Sequence, residues 1–233
     1  LKDFADSGGK GLNITVPFKV EAFYGATHRH ELANIANAVN TLAIEGHDIN
    51  GFNTDGIGFV RDLTQRHGFQ LTGKSVLILG AGGACRGVIE PLLGENPAQV
   101  TIANRTFANA QALCQLFSGR PGYQRLSCVD LSGMAKSGGE NYDLVVNSTS
   151  LGLSSAAITL PSTLVSGSFC YDMSYGDKAA FALWAKVQGA AASVDGLGML
   201  VEQAAESFSI WRGVMPSTEE IYQRLRKLVG AQV

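Results

Sequence analysis

Ser75-Val-Leu-Ile-Leu79-Gly80-Ala-Gly-Gly-Ala84 is the stretch that decides the fold. Its first five residues form an apolar run rich in strand formers, and the run stops directly at a glycine cluster. A helical pattern follows, with Val88, Ile89, Leu92 and Leu93 on one face. Pro91 lies inside that pattern and must kink the helix or be absorbed at its end. A second strand, Val100-Thr-Ile-Ala103, ends in Asn104-Arg105-Thr106. Strand, glycine turn, helix and strand make one βαβ unit. Gly80, Ala81, Gly82, Gly83 and Ala84 would let backbone N–H groups approach a pyrophosphate at the helix N-terminus, where the dipole favours negative charge. The sixth position of the glycine fingerprint is Cys85, where Gly or Ala is usual.

The end of the second strand bears on the choice of dinucleotide. An NAD site usually places Asp or Glu there, accepting from the ribose 2′-hydroxyl. This chain places Asn104 and Arg105. A guanidinium binds a 2′-phosphate through several donors, whereas a carboxylate would repel it. The expected cofactor is therefore NADP. The competing reading makes Arg105 a solvated residue at the start of the next helix, with Thr106 as its N-cap.

Working outward, more strands follow at Tyr142–Val146, Phe169–Tyr171 and Ala192–Val194, separated by helices around 107–117 and 178–188. Strands alternating with helices predict an α/β fold with a Rossmann-like parallel sheet and ligands at the carboxyl ends of its strands. The loops 80–84, 104–106, 147–150, 172–175 and 195–198 would share that edge. Met199–Trp211 reads as a long helix ended by Gly213, with Leu200, Ala204, Phe208 and Trp211 as its core face. Gln203 among them is either a surface residue or a substrate contact. A last helix spans about 217–229, with Ile221, Leu225 and Leu228 on one face.

Before the sheet, Leu12–Ile14 reads as a short strand and Thr15-Val16-Pro17 as a helix start. Lys19 then falls in the first turn, at the positive end of the dipole, which disfavours a cation. It is either an ordinary solvated lysine or one that trades a proton. Glu31–Val39 is a short helix. Val39–Ile44 and His47–Phe52 form a β-hairpin. Asn40 is either a plain polar residue or a cleft residue. Asp55 sits where a helix cap would sit and has the same two readings.

Composition bounds the rest. The 18 Lys and Arg against 20 Asp and Glu give no basic stripe for nucleic acid and no reason to expect a membrane surface. No apolar run is long enough to span a bilayer. Cys85, Cys114, Cys128 and Cys170 lack a C-x-x-C spacing and read as small buried hydrophobes in a reducing, cytoplasmic compartment. The four histidines lack a supporting ligand pattern, so no metal is expected, and His28 and His30 read as loop residues. Residue 1 is Leu rather than Met, and the expectation is that an earlier part of the protein precedes it.

With these residues quoted, the chain resembles the shikimate dehydrogenase (shikimate/quinate dehydrogenase) family. The resemblance rests on Gly11-Leu-Asn-Ile-Thr-Val-Pro-Phe-Lys19, Ala38-Val-Asn-Thr-Leu42, Asn53-Thr-Asp-Gly56, Gly80–Ala84, Asn104-Arg-Thr106, and Asp195-Gly-Leu-Gly-Met-Leu200 followed by Gln203. These motifs span nearly the whole chain in the family's order. The resemblance implies an enzyme that reduces 3-dehydroshikimate to shikimate with NADPH, on the route to chorismate and the aromatic amino acids. It implies Lys19 and Asp55 as the catalytic pair, and Thr15, Asn40, Tyr175 and Gln203 as further substrate contacts. Met173 and Gly196 would join residues 80–84 and 104–106 at the cofactor. It also implies a discontinuous α/β substrate domain, residues 1–55 and 197–233, around a cofactor domain of residues 56–196.

Two departures stand out. The family often carries a second basic residue three positions after the Thr of Asn-Arg-Thr; here it is Asn109. The family also begins with a strand and a Ser-x-Ser motif that holds the substrate carboxylate, and this chain starts after it, so it reads as N-terminally truncated. The alternatives are a quinate/shikimate dehydrogenase using NAD or both cofactors, a non-catalytic NADP-binding regulator, and an inactive fragment. Lys19 and Asp55 together argue against the regulator, which needs no proton-transfer pair. The partner expected is a small molecule; oligomeric state is not readable, and a homodimer stays open.

Overall fold

Val76, Leu77, Ile78 and Leu79 are all buried, as a strand covered on both faces of its sheet requires. They belong to the larger of two sheets in the computed structural model, which describes residues 1–15, 17–137, 141–149 and 160–230. Val16 and Ser150, each part of a stretch quoted above, lie outside the described residues.

The first segment runs α1 (Lys2–Asp6), β1 (Gly11–Asn13), α2 (Lys19–Gly25), β2 (His28–Arg29), α3 (Glu31–Ala36), β3 (Thr41–Glu45), β4 (Asp48–Phe52) and α4 (Asp55–Arg61). Its four strands form a sheet in the order β1-β3-β4-β2. The β3–β4 hairpin pairs Thr41 with Phe52 and Glu45 with Asp48, and turns at Gly46, whose φ of 62° suits glycine. Phe23, Ala26, Ala33, Val39 and Leu42 make its small core. The second segment runs β5 (Ser75–Leu79), α5 (Gly83–Gly94), β6 (Gln99–Asn104), α6 (Phe107–Leu116), β7 (Leu126–Asp130), α7 (Leu131–Ser137), β8 (Leu144–Asn147), β9 (Phe169–Asp172), α8 (Ala180–Val187) and β10 (Ala192–Asp195). These strands are all parallel, in the order β10-β9-β8-β5-β6-β7. Counted within the sheet this is the doubly wound order, with its switch point between β5 and β8. Two helices close the chain, α9 (Leu197–Arg212) and α10 (Glu219–Val229).

The βαβ reading of residues 75–104 holds, and Val88, Ile89, Leu92 and Leu93 are buried as expected. Pro91 lies within α5, near its end. A proline there leaves the Gly87 carbonyl without its helical donor. Gly56 of α4 packs directly on that carbonyl and on the Pro91 ring, so a Cβ at residue 56 would collide with both. The α4 helix crosses α9 just as closely: a Cβ on Gly58 would stand 2.6 Å from the backbone nitrogen of Gln203. These two glycines seat α4 between the large sheet's helices and α9.

Several expectations need correction. Helix α2 begins at Lys19, not at Thr15, and before it the Thr15 carbonyl accepts from Phe18 N–H. Asp55 is the first residue of α4, and Thr54 holds the cap position. Strands β2 and β7 were not foreseen; β2 carries His28, so His28 is exposed on a short strand. The buried faces of the last two helices also differ. In α9, Ala204 and Phe208 are exposed, and Leu197, Val201, Glu202, Ala205 and Ser207 are buried. In α10, Leu228 is 80% exposed and Tyr222 is the buried residue, packed on Leu197 and Val201. The reason is polar: Glu202 faces Arg66 at 2.8 Å, and Tyr222 lies under the same guanidinium at 3.9 Å.

Candidate active site

The first residue of α2 and the first residue of α4 meet. Lys19 Nζ donates to Asp55 Oδ2 at 2.6 Å, with the two side chains 26% and 15% exposed. Both are 36 positions apart in sequence and both stand at helix N-termini, where the dipole favours the carboxylate and opposes the ammonium. The other oxygen, Asp55 Oδ1, accepts from Asn40 Nδ2 at 2.9 Å. Asn40 is itself held rigidly. Its Oδ1 accepts from Thr54 N at 3.0 Å and from Thr41 Oγ1 at 2.9 Å, which fixes which end of the amide is oxygen. Its Nδ2 also faces Thr54 Oγ1 at 2.8 Å and Gln203 Oε1 at 3.1 Å. Gln203 Nε2 donates to the Leu200 carbonyl at 2.8 Å, so the Gln203 oxygen is the end turned to Asn40. The carboxylate beside Lys19 is thus braced by a buried amide whose own orientation has no freedom.

These residues line a cleft of about 440 Å³ between the small sheet and the carboxyl edge of the large one. Thr15, Lys19, Asn40, Asp55, Tyr175 and Gln203 all border it. So do Met173 and Gly196, which the family resemblance placed with the cofactor. A Cβ on Gly196 would fall against the Met173 carbonyl, so glycine lets the β10–α9 junction lie on the loop that carries Tyr175. Sequence reasoning passed over Asn13, Ile14, Met199 and Leu200, which also border the cleft. Asn13 lies inside the Gly11–Lys19 motif, and its place in that motif was the available signal.

The glycine turn lies at the switch point beside this cleft. Gly80 has φ of 103°, and a Cβ there would stand 2.6 Å from Thr149 Cγ2. Only glycine fits that position. Gly82 and Gly83 are different: a Cβ on either would meet no atom within 4 Å. The start of the twelve-residue α5 is therefore open, with first-turn N–H groups free of helical acceptors, and a pyrophosphate fits it. Across the edge, Asn104 Nδ2 donates to the Thr106 carbonyl at 2.8 Å and shapes the turn after β6. Arg105 is exposed there and makes no ion pair among the described residues.

At the end of β9, Asp172 is wholly buried; it accepts from Asn147 Nδ2, Ser174 N and Phe181 N at 3.0–3.1 Å. Burial pushes its carboxyl up to about 6, against the lowering effect of those donors. The folded chain therefore binds this proton more tightly than the unfolded chain, where the group titrates near 3.8. The stability it lends is full below about pH 4 and is lost as pH rises through about 6. Melting curves of Asp172→Asn should show a flatter dependence than the parent between those two values; parallel curves would remove the charge at Asp172 as the cause.

Comparisons with known proteins follow the same outline. The profile described as Shikimate / quinate 5-dehydrogenase matches residues 62–157, and that described as Shikimate 5'-dehydrogenase C-terminal domain matches residues 196–226. A protein named shikimate dehydrogenase (NADP(+)) from Dechloromonas aromatica (strain RCB) is 49% identical over 99% of this chain and 83% of its own length. The protein of that name from Alkalilimnicola ehrlichii is 52% identical over 97% of this chain and 82% of its own. Among solved structures, an Ael1 enzyme from Pseudomonas putida superposes with a TM-score of 0.88 at 41% identity, covering 96% of this chain and 81% of that one.

Proposed function

The chain belongs to the shikimate dehydrogenase family, and on that premise we propose that it catalyses the reversible, NADPH-dependent reduction of 3-dehydroshikimate to shikimate. The observation that carries this reading is the Lys19–Asp55 pair, braced by Asn40 at the wall of a cleft that opens beside the glycine turn. Residues 1–55 and 197–233 form the substrate side and residues 56–196 the cofactor side. Residues 80–84 would hold the pyrophosphate, and Arg105 would hold the 2′-phosphate. Four unpaired cysteines suit a reducing, cytoplasmic setting.

When bound, the reduced nicotinamide supplies the hydride that goes to the substrate's carbonyl carbon. The carbonyl oxygen then needs a proton. Lys19 carries that proton at Nζ and delivers it to the oxygen as the hydroxyl forms. Asp55 accepts a hydrogen bond from one of the three ammonium hydrogens and thereby aims the others into the cleft. Asn40 keeps Asp55 from turning, so this aim is set before substrate arrives. Thr15, Tyr175 and Gln203 offer hydroxyl and amide groups to the ring's own hydroxyls.

Assays of shikimate and quinate oxidation, each with NADP and with NAD, test the proposal. Shikimate with NADP should give the highest kcat/KM; faster turnover of quinate with NAD would replace it with the related quinate activity. The cofactor assignment has its own test. Arg105→Ala should raise the KM for NADP by the equivalent of about 1.5–3 kcal/mol, the range for hydrogen bonds to a charged group, and should barely move the KM for NAD. An equal change with both cofactors would release Arg105 from the 2′-phosphate.

A further inference from the structure

Ser207 lies on α9 one turn beyond Gln203 and is fully buried, yet its hydroxyl stands at the centre of the polar groups behind the cleft. Asn13 Nδ2 reaches its Oγ at 3.0 Å, Thr41 Oγ1 lies 2.7 Å away, and the Gln203 carbonyl lies 3.0 Å away. Thr54 Oγ1 is a fourth, longer neighbour at 3.4 Å.

The hydrogens can be assigned from groups that have no choice. The backbone N–H of Thr54 donates to Asn40 Oδ1, so that atom is an oxygen and Thr41 Oγ1 must donate to it as well. With its hydrogen spent, Thr41 can only accept from Ser207 across the 2.7 Å contact. The Gln203 carbonyl is already supplied by Thr54 Oγ1 at 3.0 Å. Ser207, having given its hydrogen to Thr41, receives one from Asn13 Nδ2. The result is a one-way chain: Asn13 to Ser207, Ser207 to Thr41, Thr41 to Asn40, and Asn40 through Nδ2 to Asp55 Oδ1.

We propose that Ser207 is a positioning residue for the reduction, a role that rests on the function proposed above. By accepting from Asn13 Nδ2 it turns the other end of that amide, Oδ1, toward the cleft as a fixed acceptor for a ring hydroxyl. Asn13 Nδ2 has one further contact, the Asn40 carbonyl at 3.5 Å, too long to hold the amide by itself. Without Ser207 the amide is free to flip and present a donor instead. Its donation to Thr41 also keeps Asn40 oriented, but the Thr54 N–H does that independently. The effect therefore falls on substrate binding more than on proton transfer.

The test is Ser207→Ala in the full chain, with steady-state kinetics for shikimate and NADP. The KM for shikimate should rise about tenfold, while kcat stays within a few-fold and the KM for NADP is unchanged. In an Asn13→Ala background, Ser207→Ala should add nothing to KM, because the amide it orients is gone. A merely structural serine predicts otherwise: an unchanged shikimate KM, equal changes for both ligands, or effects that multiply in the double variant. Any of these overturns the proposal. If Ser207→Ala fails to fold in a thermal melt, Ser207→Cys, which is somewhat larger and accepts hydrogen bonds weakly, is read by the same criteria. A parent chain that turns over no shikimate would instead refute the functional reading itself, independently of Ser207.

Discussion

Lys19→Ala should lower kcat for 3-dehydroshikimate reduction by about 10²–10⁴, the range expected for loss of a positioned general acid. The lysine contacts Asp55 and borders the substrate cleft, whereas the glycine turn that would hold the dinucleotide lies on a different sheet. Titration of NADPH by its fluorescence should accordingly give nearly the parent affinity. The fall belongs in kcat because the proton is needed as the alkoxide forms, not when substrate docks. A solvated lysine would behave differently, with kcat within a few-fold of the parent. Such a result would leave Asp55 without a partner in the chemistry and would withdraw the proton-transfer assignment.

Arg226→Met should cost about 3–5 kcal/mol of stability, as expected when one partner of a buried pair is removed. Arg226 and Asp195 are 13% and 3% exposed and meet through two bonds of 2.8 and 2.7 Å. Asp195 ends β10, and it also accepts from Gly176 N–H at 3.2 Å and Leu197 N–H at 3.1 Å. One carboxylate thereby ties α10, the start of α9 and the loop carrying Tyr175 to the large sheet. Removing the guanidinium leaves that carboxylate buried without its counter-charge. At about 2–4 °C per kcal/mol for a chain of this size, the melting temperature should drop by roughly 6–20 °C. Asp195→Asn in the same variant should recover part of the loss, since the stranded charge goes with it. A drop of only a degree or two would place this pair with exposed salt bridges and contradict the burial argument.

The parallel sheet was legible because its evidence is local. Ser75–Leu79, Val100–Ala103 and the strands near 145, 170 and 193 are short apolar runs, and each ends at a polar or glycine-rich turn. The glycine turn, the helix face of Val88 to Leu93 and the hairpin at Gly46 follow from the same near-neighbour signals. Strand β7 escaped notice because Leu126-Ser-Cys-Val-Asp130 alternates weakly and lies at the sheet's edge, where burial demands less. Lys19, Asn40, Asp55 and Gln203 stood out through their motifs, yet each had an ordinary alternative reading as a solvated or capping residue. Nothing in the spacing of residues 19, 40, 55 and 203 states that they converge; the β3–β4 hairpin and the α4–α9 crossing at Gly58 bring them together.

The sequence by itself determined the βαβ opening, the carboxyl edge that faces ligands, the basic residue that favours NADP and the family to which the motifs belong. Tertiary structure alone decided which faces of α9 and α10 are buried, and with them the places of Ser207, Glu202 and Tyr222. Periodic hydrophobicity reveals a face that packs against apolar neighbours. Glu202 and Ser207 are buried against Arg66 and Thr41, partners more than a hundred positions away. A polar side chain buried against a distant polar partner leaves no apolar period to read, so its position becomes visible only once the chain has folded.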